Sequence, residues 1–395
     1  MPKIDTSLTP YWQTTDGSTV CLYQGNCLNV LKQLPDRSVH MVVTSPPYWG
    51  LRDYGTDKSL EIGSEKKPDC LGWATGNRCG VCHVCLIVAV FREVRRVLRN
   101  DGTLWLNYGD TYGGELKSGN LGGIPWRVAL ALQADGWILR QDIIWMKPSP
   151  MPESVRNRCT KAHEYIFLFV KKMGYFYDAE AIKDKSISNP HKPGWASDVS
   201  DRNDRQVSNE SNAREWGSGV SNKRSVWTVA SQGYAGAHFA TFPPKLIEPC
   251  IKAGTSEKGC CAKCGAPWVR VVEVNRVETR PGNKTKYGSV EEDIRGGDGM
   301  RKRRIRNDTT IGWKPTCKCN ADVVPCVVLD PFIGSGTTCC VSISLGRNSI
   351  GIDLSKQYLD HNAIPRISGE LLTKPATAHL AGRKAKKVSL GRRIA

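Results

Sequence analysis

No stretch of this 395-residue sequence approaches the ~20 consecutive apolar residues that a membrane-spanning helix requires. Nor does a basic flank leading into an apolar run open the chain, as a secretory leader would. These absences predict a soluble, intracellular protein, expected in the cytoplasm. No internal repeat is visible. Acidic residues are the scarcer charge: 38 Asp and Glu stand against 56 Lys and Arg, a formal charge of +18. Such an excess favours a polyanionic partner, because each neutralised phosphate releases counterions. Arg383, Lys384, Lys386, Lys387, Arg392 and Arg393 lie close together near the C-terminus with no acidic residue among them. A solvated tail of this kind can track phosphates without folding, which points to nucleic acid rather than an acidic protein.

Cysteine, by contrast, is abundant, at 16 residues. In a reducing compartment these are thiols or metal ligands before they are disulfides. Cys261 and Cys264, followed by Gly265, have a zinc-knuckle form, and Cys317 and Cys319 supply two more thiolates. Four soft ligands suit tetrahedral zinc, with Cys260 as an alternative to Cys261. Cys70, Cys79, Cys82 and Cys85 form a second candidate set, just before a helix expected to begin near Leu86. His83 could replace one of its ligands, and packed free thiols are the alternative. Neither set contains a carboxylate or leaves an open position, so the zinc expected is structural and metal-assisted hydrolysis is unsupported.

Strand-like apolar runs alternate with helix-periodic segments over 20–182 and again over 238–366, the pattern of an α/β sheet covered by helices. Met41 to Val43 reads as a buried strand ending in a proline-bearing turn. Ile87, Val90, Phe91, Val94, Val97 and Leu98 form one face of a helix that Asn100-Asp101-Gly102 is expected to stop. Strands are predicted over Thr103–Asn107, Trp137–Trp145 and Tyr165–Val170, with a helix over Ile124–Ala134. The division expected is a catalytic half at 20–182 with a Cys-rich insertion at 66–86, and a polar insertion at 183–237 suited to target recognition. A second half follows at 238–258 and 321–366, interrupted by a knuckle-like basic insertion at 259–320 and followed by a basic tail at 367–395. Arg301 to Arg306 is a run suited to phosphate contact.

Val327-Val328-Leu329 reads as a strand entering Asp330-Pro331-Phe332-Ile333-Gly334-Ser335-Gly336-Thr337-Thr338, with a helix expected to Leu345. Glycines at a strand-to-helix turn let the backbone approach a ligand closely. A second strand, Ser349 to Asp353, ends in a carboxylate at the position that bonds a ribose hydroxyl in nucleotide sites. The dinucleotide fingerprint Gly-x-Gly-x-x-Gly is absent. The segment Asp330 to Thr338 resembles the S-adenosylmethionine motif of DNA amino-methyltransferases. Thr44-Ser45-Pro46-Pro47-Tyr48-Trp49 resembles their catalytic motif, (Ser/Asp/Asn)-Pro-Pro-(Tyr/Phe/Trp). Because the catalytic motif comes first, the chain is similar to the permuted β group, as are Phe242-Pro243-Pro244-Lys245-Leu246 and Trp145 to Pro148 with Glu153, Arg156, Arg158, Lys161, His163 and Glu164. The resemblance implies a Rossmann-like methyltransferase with a mixed, mostly parallel seven-stranded sheet, and double-stranded DNA as substrate. It assigns Ser45, Pro46, Pro47 and Tyr48 to catalysis. Asp330, Phe332, Gly334, Ser335, Gly336, Thr337, Thr338, Asp353, Gly25 and Asn26 would bind the cofactor. Family members usually carry Gly-Asp where this chain has Gly25-Asn26. A cognate restriction endonuclease and a second copy of the chain are the candidate protein partners.

The chemistry expected of that motif follows from the substrate. The lone pair of an exocyclic amino group is delocalised into its ring, so acceptors must draw on both N–H bonds before the nitrogen can attack a sulfonium methyl in line. Ser45 Oγ and the Pro46 carbonyl suit this purpose, and Tyr48 suits stacking on a base rotated out of the duplex. Serine at the first motif position is linked in this family more often to cytosine N4, and aspartate to adenine N6, so cytosine is the first expectation and adenine the second. An inactive zinc-bearing DNA-binding protein and a methyltransferase of RNA or protein glutamine are further alternatives. Pro249-Cys250 and Pro325-Cys326 are expected to be packed thiols rather than nucleophiles for carbon-5 methylation.

Overall fold

The computed structural model describes residues 8–16, 19–50, 61–112, 119–185, 220–232, 242–274, 276–278, 304–306, 308–373 and 392–393. Most of the polar segment at 183–237, part of the arginine-lysine run at 301–306 and most of the basic tail lie outside them.

Ten described strands form one sheet: β1 (Trp12–Gln13), β2 (Val20–Gln24), β3 (Val39–Thr44), β4 (Leu98–Tyr108), β5 (Ile138–Met146), β6 (His163–Val170), β7 (Val226–Thr228), β8 (Val327–Asp330), β9 (Asn348–Asp353) and β10 (Arg392–Arg393). Their order is β10-β1-β2-β9-β8-β3-β4-β6-β5-β7. From β2 to β4 all neighbours run parallel, while β6 lies antiparallel to both β4 and β5. The expected seven strands are therefore present as the central set, and the short β1, β10 and β7 extend its two edges. This is a Rossmann-like α/β sheet of mixed, mostly parallel strands.

The helices follow from their apolar spacing. In α2 (His83–Val97), Ile87, Val90, Phe91, Val94 and Val97 recur every three or four residues, and all are buried on the core side. This helix packs against α1 (Cys27–Gln33) and α3 (Ile124–Ala134). On the other face lie α4 (Pro244–Gly254) and α5 (Thr337–Ser344), which pack together. Two sequence expectations are corrected here. The α2 helix begins at His83, not near Leu86, and it ends at Val97. Asn100-Asp101-Gly102 does not stop it, because those residues already belong to β4. Val39 pairs with Leu98 but Met41 pairs with Thr103, so residues 99–102 form a bulge within the strand.

The chain divides into two compact units. The first, 1–181, 224–269 and 314–395, holds the sheet and these helices. The second, 182–223 and 270–313, contains the pairs Asp184–Lys185 with Val220–Ser221 and Arg276–Glu278 with Arg304–Arg306. An ion pair between Lys183 and Asp308, 3.3 Å, lies in that unit. Among the described residues no helix is long and apolar enough to cross a membrane.

One carboxylate joins the strands at the centre of the sheet. Asp330, 1 % exposed at the end of β8, accepts from Thr44 Oγ1 at the end of β3 and from Thr338 Oγ1 in α5, each at 2.6 Å. It also accepts from the Phe332 N–H at 3.0 Å. Burial raises its pKa to about 6 in spite of those donors. The native state thus holds the Asp330 proton more tightly than the unfolded chain does. The contribution of that difference is complete near the unfolded pKa of about 4, and it is lost as pH rises through about 6. Chemical denaturation of the protein and of Asp330→Asn across pH 4–7 tests this. The stability of the native protein relative to the variant should increase as pH falls below about 6, by at most about 1.4 kcal/mol per pH unit. A flat difference contradicts the assignment.

Candidate active site

The carboxyl ends of β2, β9, β8, β3 and β4 lie side by side, and a cleft of about 530 Å³ opens over them. Such strand ends are where α/β sheets bind their ligands. The segments identified in the sequence converge there. Ser45, Pro46, Pro47 and Tyr48 line one wall, while Phe332, Gly334, Ser335, Thr337, Asp353 and Asn26 line another. Asp330, Gly336 and Thr338 stand behind that second wall as its support, and Gly25 leads into it by donating its N–H to the Asp353 carbonyl, 2.9 Å.

The glycine-rich turn is held from three directions. Gly334 donates its N–H to Asp353 Oδ2 at 3.0 Å, and Ser355 donates to Oδ1 at 2.8 Å, so the Asp353 carboxylate organises backbone as well as facing the cleft. Its pKa is raised to about 6, chiefly by burial. Gly336 has φ +80°, and a Cβ there would stand 3.2 Å from Ala363 Cα, so the turn into α5 requires glycine on both counts. Arg366, which nothing in the sequence singled out, reaches back to Ser335 Oγ at 3.1 Å and to Thr337 Oγ1 at 2.8 Å. Asn26 acts locally, because its side chain accepts from the N–H groups of Leu28 at 3.0 Å and Asn29 at 3.4 Å and caps α1.

The first of these walls is built around Tyr48. Ser45 Oγ donates to the Tyr48 hydroxyl at 3.1 Å, and that hydroxyl donates to Glu164 Oε2 at 2.8 Å. Asn107 Oδ1 lies 3.1 Å from the same hydroxyl, and Lys147 forms an ion pair with the other Glu164 oxygen. The ring stacks on Tyr108, with centroids 5.2 Å apart and planes 22° apart. Burial, then the Glu164 charge, pushes the Tyr48 hydroxyl pKa well above its usual value, so the phenol stays neutral. Behind Tyr108, His83 bonds the Tyr108 hydroxyl through Nε2 and Glu65 through Nδ1, the latter at 3.0 Å. Both His83 nitrogens are therefore engaged, and His83 does not belong to the neighbouring cysteine set. Lys147, Glu153, Lys161, His163 and Glu164 face the cleft. Arg156 and Arg158 are not among its lining residues; Arg158 forms an ion pair with Glu153 and lies over the Tyr112 ring, 3.9 Å away.

Asp110 was also missed in the sequence. It accepts from the N–H groups of Gly123 and Ile124, both at 3.0 Å, and so caps α3 from outside that helix. The only available signal was position: Asn107-Tyr108-Gly109-Asp110 follows directly on β4 at the ligand-binding edge.

Both cysteine sets are assembled. Within Cys70, Cys79, Cys82 and Cys85, and within Cys261, Cys264, Cys317 and Cys319, all sulfurs lie within 4.8 Å of one another. Cys70 Sγ accepts from the Gly72 N–H at 3.4 Å, and Cys79 Sγ accepts from the Cys82 N–H at 3.3 Å. Such backbone donors match thiolate ligands. Cys260 is not the alternative to Cys261, because it points away to the Val324 carbonyl at 3.4 Å. It instead gathers with His40 and Cys326. That trio is poorly suited to a metal, since His40 Nδ1 accepts from the Val327 N–H at 3.0 Å and Nε2 donates to the Gly265 carbonyl at 2.9 Å. Cys250 and Cys326 are both buried and line no part of the cleft.

Comparison with known proteins agrees with this architecture. The N6/N4 methyltransferase family model, described as DNA methylase, matches residues 39–262 and 326–364. The type II methyltransferase M.Cfr9I of Citrobacter freundii is 33% identical over 88% of this chain and 88% of its own length. M.XycI of Xanthomonas campestris pv. cyanopsidis is 40% identical over 65% of this chain and 81% of its own. Among solved structures, PvuII DNA methyltransferase (cytosine-N4-specific) superposes with a TM-score of 0.51 at 15% identity, covering 90% of this chain and 88% of that one. The chain belongs to the N6/N4 DNA methylase family and is an S-adenosylmethionine-dependent amino-methyltransferase.

Gly109 is the tightest constraint on this wall. A Cβ there would lie 2.6 Å from Tyr48 Cε2 and 3.3 Å from Glu164 Cδ. Gly109→Ala is expected to displace the Tyr48 ring and lower methyl incorporation into DNA by about 100-fold, the usual effect of a misplacement near 1 Å. Far-ultraviolet circular dichroism should remain unchanged. Full activity in the variant contradicts this packing role.

Proposed function

We propose that the chain is a site-specific methyltransferase of double-stranded DNA that modifies the N4 amino group of cytosine. The observation that carries this reading is Ser45 at the rim of the cleft, across from the glycine-rich turn. A neutral hydroxyl there accepts one amino hydrogen and the Pro46 carbonyl accepts the other, which concentrates the nitrogen lone pair toward the donor methyl. Tyr48, already backed by Tyr108, offers its remaining face to the extruded base. Phe332, Gly334, Ser335, Thr337 and Asp353 would hold S-adenosylmethionine, with Asp353 directed at a ribose hydroxyl; when bound, this donor supplies an electrophilic methyl group on sulfur. Asn26 borders the same space, though as a helix cap it has less freedom to bind. The basic segments at 301–306 and 383–393 and the insertion at 183–237 suit phosphate contact and target recognition.

Each four-cysteine set is proposed to hold one structural zinc, consistent with its soft ligands and lack of an open position. The type II names of the relatives support action in the cytoplasm beside a cognate restriction endonuclease.

Nucleoside analysis of DNA treated with the protein and methyl-labelled S-adenosylmethionine tests the reaction. The label should appear as N4-methylcytosine within one sequence context. Label on adenine N6 would move the assignment to that base, and label on carbon 5 or none at all would refute the reading. Elemental analysis of the purified protein should find two zinc ions per chain, and one fewer in Cys79→Ser and in Cys319→Ser. A zinc-free native protein contradicts the metal assignment.

A further inference from the structure

Methylation of an exocyclic amine leaves a proton to be disposed of. As the N–CH3 bond forms and the donor C–S bond breaks, the nitrogen becomes cationic and must release one hydrogen. The hydroxyl beside it, Ser45 Oγ, is a weak base and cannot keep that proton. The hydrogen bonds leading away from it supply a route. Ser45 Oγ donates to the Tyr48 hydroxyl at 3.1 Å, which donates to Glu164 Oε2 at 2.8 Å. Both bonds point the same way, and the chain ends on a carboxylate that also borders the cleft.

We propose that Ser45, Tyr48 and Glu164 form a proton relay that carries the departing amino proton from the target base to the Glu164 carboxylate. The proposal rests on the assignment of Ser45 to the target amino group. In the step, the N–H bond of the methylated amine breaks and its electron pair returns to nitrogen. The proton adds to Ser45 Oγ as the serine hydrogen passes to Tyr48 Oη and the tyrosine hydrogen passes to Glu164 Oε2. Serine and tyrosine end as they began, and Glu164 ends as a neutral acid that releases its proton to the cleft. Tyr48 accepts and donates at once, so no tyrosinate is needed, in keeping with a hydroxyl whose ionisation is suppressed by burial.

Three surrounding groups suit this role. Asn107 Oδ1, 3.1 Å from the Tyr48 hydroxyl, and the Asn107 amide, 3.0 Å from the Tyr165 carbonyl, fix the middle of the chain. Lys147 pairs with the Glu164 oxygen that the tyrosine does not use and so holds the carboxylate in its orientation toward Tyr48. Lys161, also on the cleft, lies close enough to feel the Glu164 charge, although burial lowers the pKa of its amine. The Tyr48 ring remains available for stacking, so the hydroxyl and the ring have separable functions.

Tyr48→Phe separates them, because it keeps the ring and removes the relay. Three measurements are made on Tyr48→Phe and Glu164→Gln: anisotropy of labelled target duplex, single-turnover methyl transfer across pH 6–9, and difference infrared spectra of that turnover. Both variants should bind duplex as the unmodified protein does. Methyl transfer should slow by about 10- to 100-fold, within the range of a lost proton-transfer group, and the double variant should be no slower than the slower single one. A protonated-carboxyl band should appear during turnover of the unmodified protein and in neither variant. Unchanged rates in Tyr48→Phe, or a carboxyl band that persists in it, would overturn the relay while leaving transfer to the amino group intact. Independent, multiplying losses in the double variant would also overturn it. If the unmodified protein methylates no DNA amino group, the underlying assignment fails instead.

Discussion

The arrangement of the active site depends on one buried carboxylate. Asp330 binds the hydroxyls of Thr44 and Thr338, and Thr44 lies 286 residues earlier in the chain. Through it the strand that leads to the Ser-Pro-Pro-Tyr segment and the strand that leads to the glycine turn end at the same level. Burying a carboxylate costs free energy, which its three hydrogen bonds offset only in part, in keeping with its raised pKa. What results is registration of two loops that line one cleft. The family's permuted order of motifs is compatible with this, because adjacency in a parallel sheet is set by strand pairing rather than by chain order.

Around that point the protein fixes side chains by packing rather than by long loops. Tyr48 is set between the Tyr108 ring, the Gly109 backbone and Glu164, and Tyr108 is itself held by His83 and Glu65. His83 lies between two cysteines of one cluster, Cys82 and Cys85, at the start of α2. The cysteine-rich insertion is therefore continuous with the wall around Tyr48 through one hydrogen bond, His83 to Tyr108, and one ring contact, Tyr108 to Tyr48. The second cluster adjoins the other end of β4, where Arg99, near the start of the strand, donates to the Cys264 carbonyl at 2.7 Å. The first cluster thus lies beside the strand ends that form the cleft, and the second beside the opposite ends of β3 and β4.

The sequence was most informative where chemistry restricts residue choice. The Ser-Pro-Pro-Tyr segment, the Asp330 turn and the paired cysteines each need particular residues at particular spacing, and the structure gathers them as those spacings suggest. Element types followed from periodicity, since Ile87 to Val97 cannot bury one face except as a helix. Boundaries were less legible: the bulge at 99–102 lets a strand run through Asn100-Asp101-Gly102, which in isolation reads as a stop. Long-range partners were not legible at all. Nothing local to Glu164, Asn107, Arg366 or Gly109 shows that they meet Tyr48 or the glycine turn, because those contacts arise only when distant strands pair. Asn26 shows another limit, since a motif position could not reveal that its side chain, on the cleft, also caps a helix.

The central claim, that the Asp330 carboxylate couples the two halves of the site, is tested most directly by a double-mutant cycle between Thr44→Val and Asp330→Asn, read as unfolding free energy. The account predicts that the two losses fall short of additivity by about 1 kcal/mol or more, as expected for residues sharing a buried hydrogen bond. Additive losses would contradict it, since Thr44 and Asp330 would then stabilise the sheet independently.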